Sequence, residues 1–248
     1  MFKVGDFVTR NSHNNDVIFK IEKIIDNVAI LKGINVRLCA DCSIEDLKLN
    51  SQPTKEDDRF FYSKLEEFKS NQRSEYFYIP GKILHIDGDE TYLNRCLDFY
   101  KKANVLAYGI FSNEKDIAKN IFKYLEDINP DIVVITGHDS NVKNNSEHFA
   151  EAIKMCRKYQ RDFDMLIVIA GACQSDYEKL IKSGANFASS PKKVNIHALD
   201  PAIIALSLSL LDKNKSVDLI SLLEKTSNGK NGIGGVNTKG VMTTGYPR

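Results

Sequence analysis

Two short, wholly apolar runs constrain this chain most: IVVIT at 132–136 and MLIVIA at 165–170, each followed by a helical pattern. A strand that is apolar at every position is buried on both faces, as in a parallel sheet covered by helices. The same alternation holds from Tyr76 onward. Strands are expected at 82–86, 105–111, 132–136, 165–170 and 186–189. Helices are expected at 90–102, 116–128, 147–159, 176–183, 200–211 and 217–225. The fold class expected is therefore α/β, a mostly parallel sheet flanked by helices in a three-layer, flavodoxin-like sandwich.

Residues 1–50 have a different rhythm. Short extended runs at 2–10, 17–25, 28–31 and 36–39 are separated by turns at Gly5-Asp6, Asp26-Asn27 and Gly33. Four short strands with tight turns predict a small SH3-like β-barrel that serves as an interaction domain. Residues 51–75 are charged, and Phe61, Leu65 and Phe68 fall at helical spacing. This stretch reads as a protruding linker helix and a domain boundary, with the α/β domain filling 76–248. The glycine-rich tail at 228–240 reads as a flexible loop that covers or abuts a site, or frays.

Composition excludes several classes. Lys and Arg number 34 against 33 Asp and Glu, a net charge of +1, so there is no overall basic field for nucleic acid. The longest apolar run, 202–211, is too short to span a bilayer and contains Ser207 and Ser209. Asp6 and Arg10 interrupt the place where a secretory signal would need its apolar stretch. A cytoplasmic protein without membrane contact is expected. Five cysteines without a signal argue against a disulfide framework. Cys39 and Cys42 form one C-x-x-C, but no second Cys/His pair follows at zinc spacing, so neither metal nor other cofactor is expected. No glycine-rich phosphate loop is present.

In open α/β sheets chemistry lies beyond the carboxyl ends of the strands. Those ends read His85-Ile86-Asp87-Gly88-Asp89, Thr136-Gly137-His138-Asp139, Gly171-Ala172-Cys173 and Ser189-Ser190. His138 and Cys173 follow consecutive buried strands. An imidazole beside a thiol is the pairing that makes a thiolate nucleophile and then protonates a leaving amine. Backbone N–H groups of Gly137 and Cys173 are candidates for an oxyanion hole. The helix expected from Asp176 would further favour a thiolate at Cys173. Asp87, Asp89, Asp139, Asp176 and Asp200, with His85 and His197, fall near the same edge and are candidates to line a pocket for a basic substrate residue. Cys96 and Cys156 lie inside amphipathic helices and read as small core residues. His13 and His148 read as surface residues.

Longer blocks carry a resemblance. ITGHD at 135–139, AGACQS at 170–175, GANFASSP at 184–191 and VNIHALDP at 194–201 are similar to the YabG family of sporulation-specific proteases. KVGDFVTR near the start and PGKILHIDGDE at 80–90 fit as well. The resemblance implies an endopeptidase of the mother-cell cytoplasm that processes spore coat and cortex-associated proteins. It also implies that Cys173 and His138 are its catalytic pair. A histidine after one apolar strand and an Ala-Cys after the next also resembles caspase-like peptidases. In those the glycine follows the histidine, whereas here Gly137 precedes it and Asp139 follows.

Two other readings stay open. Gly171-x-Cys173-x-Ser175 resembles a nucleophile elbow of amidotransferase-like hydrolases, with His197 as the base, although Ser175 stands where the second glycine belongs. The chain also fits a non-catalytic coat scaffold. In the peptidase reading the barrel docks substrate proteins or further copies of the chain.

Overall fold

The computed structural model describes residues 2–50, 56–69, 73–138 and 146–247. The first 50 residues form an antiparallel meander of β1 (Phe7–Arg10), β2 (Phe19–Ile25), β3 (Val28–Gly33), β4 (Cys39–Ser43) and β5 (Leu47–Leu49), in spatial order β4-β3-β2-β1-β5. Alternation along these strands buries Val8, Phe19, Ile21, Ala29, Leu31 and Leu47 on one face. The strand expected at 36–39 begins only at Cys39. The reason is a remote partner. Arg37 N–H donates to the Ile196 carbonyl at 3.2 Å, Ala198 N–H donates to the Asn35 carbonyl at 2.8 Å, and Val36 bridges His197.

The charged stretch after β5 forms two short helices, α1 (Glu56–Ser63) and α2 (Leu65–Lys69), and it does not protrude. Phe61 is 1% exposed. Its ring stacks on His197 at 4.6 Å and meets Phe99 edge-on at 6.4 Å. The burial of Phe61 and Leu65 is what holds this polar segment against the body of the molecule.

After β6 (Phe77–Ile79) the chain runs through β7 (Ile83–Asp87), α3 (Glu90–Lys102), β8 (Ala107–Phe111), α4 (Glu114–Ile128), β9 (Ile132–Thr136), α5 (Ser146–Tyr159), β10 (Ile167–Ala170), α6 (Tyr177–Lys182) and β11 (Phe187–Ser189). It ends with α7 (Asp200–Ser209), α8 (Leu219–Leu223), β12 (Ile233–Gly235) and β13 (Thr243–Gly245), the last paired with β6. The main sheet has the order β12-β11-β10-β9-β7-β8 and is parallel except at β12. Counting from β7, the parallel strands run 2-1-3-4-5, a doubly wound order whose direction reverses between β7 and β9. Ligand crevices open at such a reversal.

Both sheet faces are covered. Ile83, Val134, Ile167 and Ile169 join a core with α3, α7 and the N-terminal meander, while Leu84, Val133, Ile135 and Val168 join a second with α4 and α5. The first of these is one apolar cluster from Val8 and Phe19 through Phe61 to Phe99 and Ile203. All ten residues of α7 are buried, which explains its lack of a polar face. Its serines are satisfied internally, Ser207 Oγ donating to the Ile203 carbonyl at 2.7 Å and Ser209 Oγ to the Gly81 carbonyl at 2.6 Å. Among the described residues no helix is long and apolar enough to cross a membrane.

The glycine-rich tail is not a loose loop in its middle. Ile233–Gly235 forms the antiparallel edge of the main sheet. A Cβ on Gly234 would lie 2.7 Å from the Tyr177 hydroxyl, and one on Gly235 2.3 Å from Phe187 Cδ1. Glycine here permits close approach between β12 and its neighbours rather than freedom.

Candidate active site

β7 ends at Asp87 directly opposite Thr136, the last residue of β9, so the two flank the reversal in strand order. Asp87 is fully buried and faces the guanidinium of Arg37, Nη1 to Oδ2 2.7 Å, also fully buried. Burial alone would raise the Asp87 pKa, but Arg37 and His85 hold it well below the usual carboxylate range. Burial likewise works against the Arg37 cation, and Asp87, Cys96 and Tyr92 together more than offset it. Thr136 Oγ1 donates to Asp87 Oδ2 at 2.9 Å. That hydroxyl oxygen is therefore an acceptor for His85 Nε2 at 3.0 Å, leaving His85 Nδ1 to accept from the Tyr100 hydroxyl at 3.0 Å. His85 is thus a core residue with both ring nitrogens occupied, not part of an open pocket.

The loop after β7 turns back through Asp89, the N-cap of α3. Its Oδ1 accepts from Tyr92 N–H at 3.0 Å, and its Oδ2 meets Lys32 from the end of β3. The same Oδ2 lies 3.4 Å from His138 Nε2. His138 follows β9 by two residues. Its ring lies 5.2 Å from that of Tyr92, and its backbone N–H donates to Glu114 Oε1 at 3.2 Å. Gly88 and Gly137 make room for this carboxylate, since a Cβ on either would come within 2.6 Å of Glu114 Oε1. Burial lowers the His138 pKa to about 4, with Asp89 opposing, so the imidazole is neutral near pH 7.

Cys173 follows β10 by three residues. Gly171 supplies the turn with a φ of +118°, a conformation that favours glycine. The thiol is fully buried. Sγ accepts from Ile196 N–H at 3.3 Å, and the thiol donates to the Ile196 carbonyl at 3.7 Å. Ser190 Oγ donates to the Cys173 carbonyl, and Lys193 Nζ to the Gln174 carbonyl at 3.1 Å. Residues 190–196 therefore lie over the cysteine as a strap. Burial raises the Cys173 pKa to about 12, with Arg37 opposing and Asp200 adding to the rise. The expected thiolate-favouring helix effect is outweighed, because in this conformation the sulfur sits in a closed apolar setting.

His138 and Cys173 are gathered around Tyr92 and Arg37, which interact electrostatically with the thiol, while the Tyr92 ring lies against His138. The other candidates are placed differently. His197 stacks on Phe61, its Nδ1 accepts from Leu199 N–H at 3.1 Å, and its Nε2 lies 3.3 Å from Arg95 Nη2. Burial, Arg95 and Arg37 lower its pKa to about 3. Asp200 is buried at the start of α7, accepting from His197 N–H and Ser227 N–H at 2.7 Å each; burial raises its pKa to about 6. Asp176 is exposed and caps α6 through Lys179 N–H at 3.1 Å. Asp139 lies outside the described residues. Among the described residues the aspartates do not converge on one acidic pocket: Asp87 and Asp200 serve internal partners, Asp176 caps α6, and Asp89 lies 3.4 Å from His138. Sequence reasoning missed Arg37, Tyr92 and Glu114. An arginine inside the apolar run Val36-Arg37-Leu38 was the available signal for the first, since a buried cation needs a buried anion.

Among the described residues no group of three or more His, Cys, Asp or Glu is arranged to hold a metal ion. The family described as YabG peptidase U57 matches residues 3–247. The chain belongs to the YabG peptidase family. The sporulation-specific protease YabG of Bacillus subtilis (strain 168) is 38% identical over 284 residues, spanning 99% of this chain and 98% of that protein. A cobalamin-binding protein from Desulfitobacterium hafniense shows a weak structural likeness, with a TM-score of 0.33 and 19% identity over 46% of this chain and 53% of that one. A likeness that weak assigns neither fold nor ligand. In this YabG-family peptidase the two residues singled out for chemistry follow neighbouring, directly paired strands, Ile135 of β9 lying opposite Ala170 of β10.

Proposed function

We propose that this YabG-family peptidase is a cysteine endopeptidase of sporulation, with Cys173 as nucleophile and His138 as general base and acid. The observation that carries this is the placement of both residues just beyond the carboxyl ends of adjacent parallel strands, around Tyr92, beside the reversal in strand order. His138 takes the thiol proton as sulfur attacks the scissile carbonyl carbon. It returns that proton to the amine as the C–N bond breaks, leaving a thioester on Cys173. Water, deprotonated by His138, then releases the acid and restores the thiol. Backbone N–H groups of Gly137 and Cys173 are the candidates to stabilise the oxyanion. Attack requires Ile196 to part from the sulfur, so the closed thiol is a resting state of this mechanism.

The finer assignments belong to the same proposal. The strand order, with histidine after one central strand and cysteine after the next, supports a caspase-like arrangement. The order β4-β3-β2-β1-β5, with a single-turn 3₁₀ helix at Ile44–Asp46 between β4 and β5, supports an SH3-like meander. The substrates are spore coat and cortex-associated proteins in the mother-cell cytoplasm, a reading supported by the name of the Bacillus subtilis relative as sporulation-specific. A preference for a basic residue before the cut rests on Asp89, a carboxylate beside His138 that already receives one basic side chain, Lys32.

Mass spectrometry of new peptide termini tests the proposal, using an unfolded protein mixture and wild type, Cys173→Ala, His138→Ala and His197→Ala. The expected result is cleavage by wild type and by the folded His197 variant, and none by the other two. Cleavage by Cys173→Ala would overturn the cysteine mechanism. Loss in His197→Ala with activity kept in His138→Ala would transfer the base role to His197.

A further inference from the structure

The meander and the α/β sheet are joined by a set of contacts that all converge on the candidate site. Lys32, at the end of β3, pairs with Asp89, which lies against His138. The Gly33 and Val36 carbonyls both accept from the Tyr92 hydroxyl, the latter at 2.8 Å. Arg37 fills the space between. Nη1 reaches Asp87 at 2.7 Å, Nη2 donates to the Ala198 carbonyl at 3.1 Å, and its Cζ lies 5.1 Å from the centre of the Tyr92 ring. Among the described residues its buried Nε has no hydrogen-bond partner. The backbone of the same residue holds Ile196, the residue that clamps the thiol.

We propose that Arg37 is a positioning residue for the Cys173–His138 pair, and that the segment from Lys32 to Arg37 makes the N-terminal meander an integral wall of the active site. This rests on the dyad assignment given above and extends it to a residue about a hundred positions away in sequence. Three physical arguments support it. A guanidinium with no exposure and an unsatisfied Nε is costly to bury, and Asp87 could have been left uncharged or exposed if only stability were at stake. The Tyr92 ring, 5.2 Å from that of His138 and tilted 34° to it, is held at its hydroxyl by two meander carbonyls. Finally, a fixed cation near a thiol favours its thiolate. The charged and titratable groups facing Cys173 are Arg37 from the meander, Tyr92 from α3 and Asp200 from α7. Among the described residues those facing His138 are Asp89, Asp87, Arg37 and Lys32, with Tyr92 against its ring and Glu114 on its backbone N–H.

The test uses the full chain and a short peptide taken from the cleavage mapping above. Arg37→Met combined with Asp87→Asn removes both charges, so neither partner is left buried and unpaired. The expected outcome is a folded protein whose kcat is about 100-fold lower while KM changes little, the signature of lost positioning. Alkylation of Cys173 by iodoacetamide, read by mass mapping, reports the opened conformation in which Ile196 has parted from the sulfur, and its pH midpoint moves up by about one unit as the cation is lost. Loss of packing alone would scale rates without moving that midpoint. Arg37→Lys keeps the charge and restores the midpoint, with only part of kcat. Tyr92→Phe keeps the ring and removes its two anchors; kcat falls about tenfold or more with the midpoint unmoved. A folded double variant with wild-type kcat and an unmoved midpoint overturns the proposal. Should the double variant not fold, a wild-type kcat in Tyr92→Phe overturns it instead. Cleavage retained by Cys173→Ala would refute the dyad itself, which separates that failure from failure of the Arg37 role.

Discussion

Asp89 does two jobs that substitution can separate. Its carboxylate caps α3 and also lies against His138. Asn at this position still accepts from Tyr92 N–H, so Asp89→Asn keeps the cap but removes the charge facing the imidazole and Lys32. The expected result is a thermal midpoint close to wild type and a kcat reduced roughly 100-fold, because the base is no longer oriented. Asp89→Ala loses the cap as well and costs about 1 kcal/mol of stability on top. Equal kcat in wild type and the Asn variant would show that Asp89 serves α3 alone. Glu114 makes a related point. Two glycines, Gly88 and Gly137, lie within reach of its carboxylate, which receives the His138 N–H. Neither glycine advertised this in the sequence, where Gly88 stands in an Asp-Gly strand end and Gly137 is singled out for its backbone N–H instead. The reason for glycine becomes visible only when a residue from the start of α4 is placed over both.

At the scale of elements, the strap over Cys173 is tied to the tail by Ser190 N–H donating to the Gly232 carbonyl at 2.7 Å and Asn228 Nδ2 to the Asn195 carbonyl at 2.7 Å, and to the cysteine loop by the side chains of Ser190 and Lys193. Ser190 and Lys193 both take left-handed backbone conformations, φ +69° and +55°, which side chains disfavour. Lys193 Nζ offsets this by donating to the Gln174 and Ser175 carbonyls, at 3.1 and 2.5 Å. Lys193→Ala keeps the strained backbone and loses the grip, worth about 1 kcal/mol. Labelling of Cys173 by iodoacetamide is then expected to rise by roughly five- to tenfold, with the other four cysteines unchanged. An unchanged rate would mean that the thiol is reached by another route. The legibility of elements follows their sequence range. IVVIT and the IVIA of MLIVIA were legible because burial on both faces writes itself into every residue of a strand, whereas Met165 lies before β10 and is exposed. The edge at β4 was displaced because Val36 and Arg37 pair with residues 196–198, a partner no local pattern encodes. β12 was hidden because the glycines that let it approach Tyr177 and Phe187 look like the composition of a loose loop.

For the whole molecule, the meander and the α/β sheet share one apolar cluster and one buried ion pair. Removing residues 1–50 would leave Asp87 buried without its cation, a loss of about 3–5 kcal/mol on the scale of broken buried pairs. Cleavage of short peptides and of folded proteins is therefore expected to fall together, whereas a detachable docking domain would spare the peptides. The same buried groups set the response to acid. Burial lowers His138 to about 4 and His197 to about 3, and lowers His85 as well. A histidine in the unfolded chain titrates near 6.5. Below that pH the unfolded chain takes up protons that the folded chain refuses, so stability declines as the pH falls from about 6.5 towards 4. Asp200 acts in the opposite sense. Its pKa of about 6 lies above the unfolded value near 3.9, so the folded chain holds a proton there that the unfolded chain lacks, and stability is gained as pH falls through the same window. Three histidines outweigh one carboxyl. Asp87, held low, adds its loss only below about pH 3.9. The urea midpoint is thus expected to fall between pH 7 and pH 4.5. In Asp200→Asn, which removes the opposing group, it falls more steeply. A midpoint that stays level or rises on acidification would show that these histidines are open to water in solution and that the site is not closed as described.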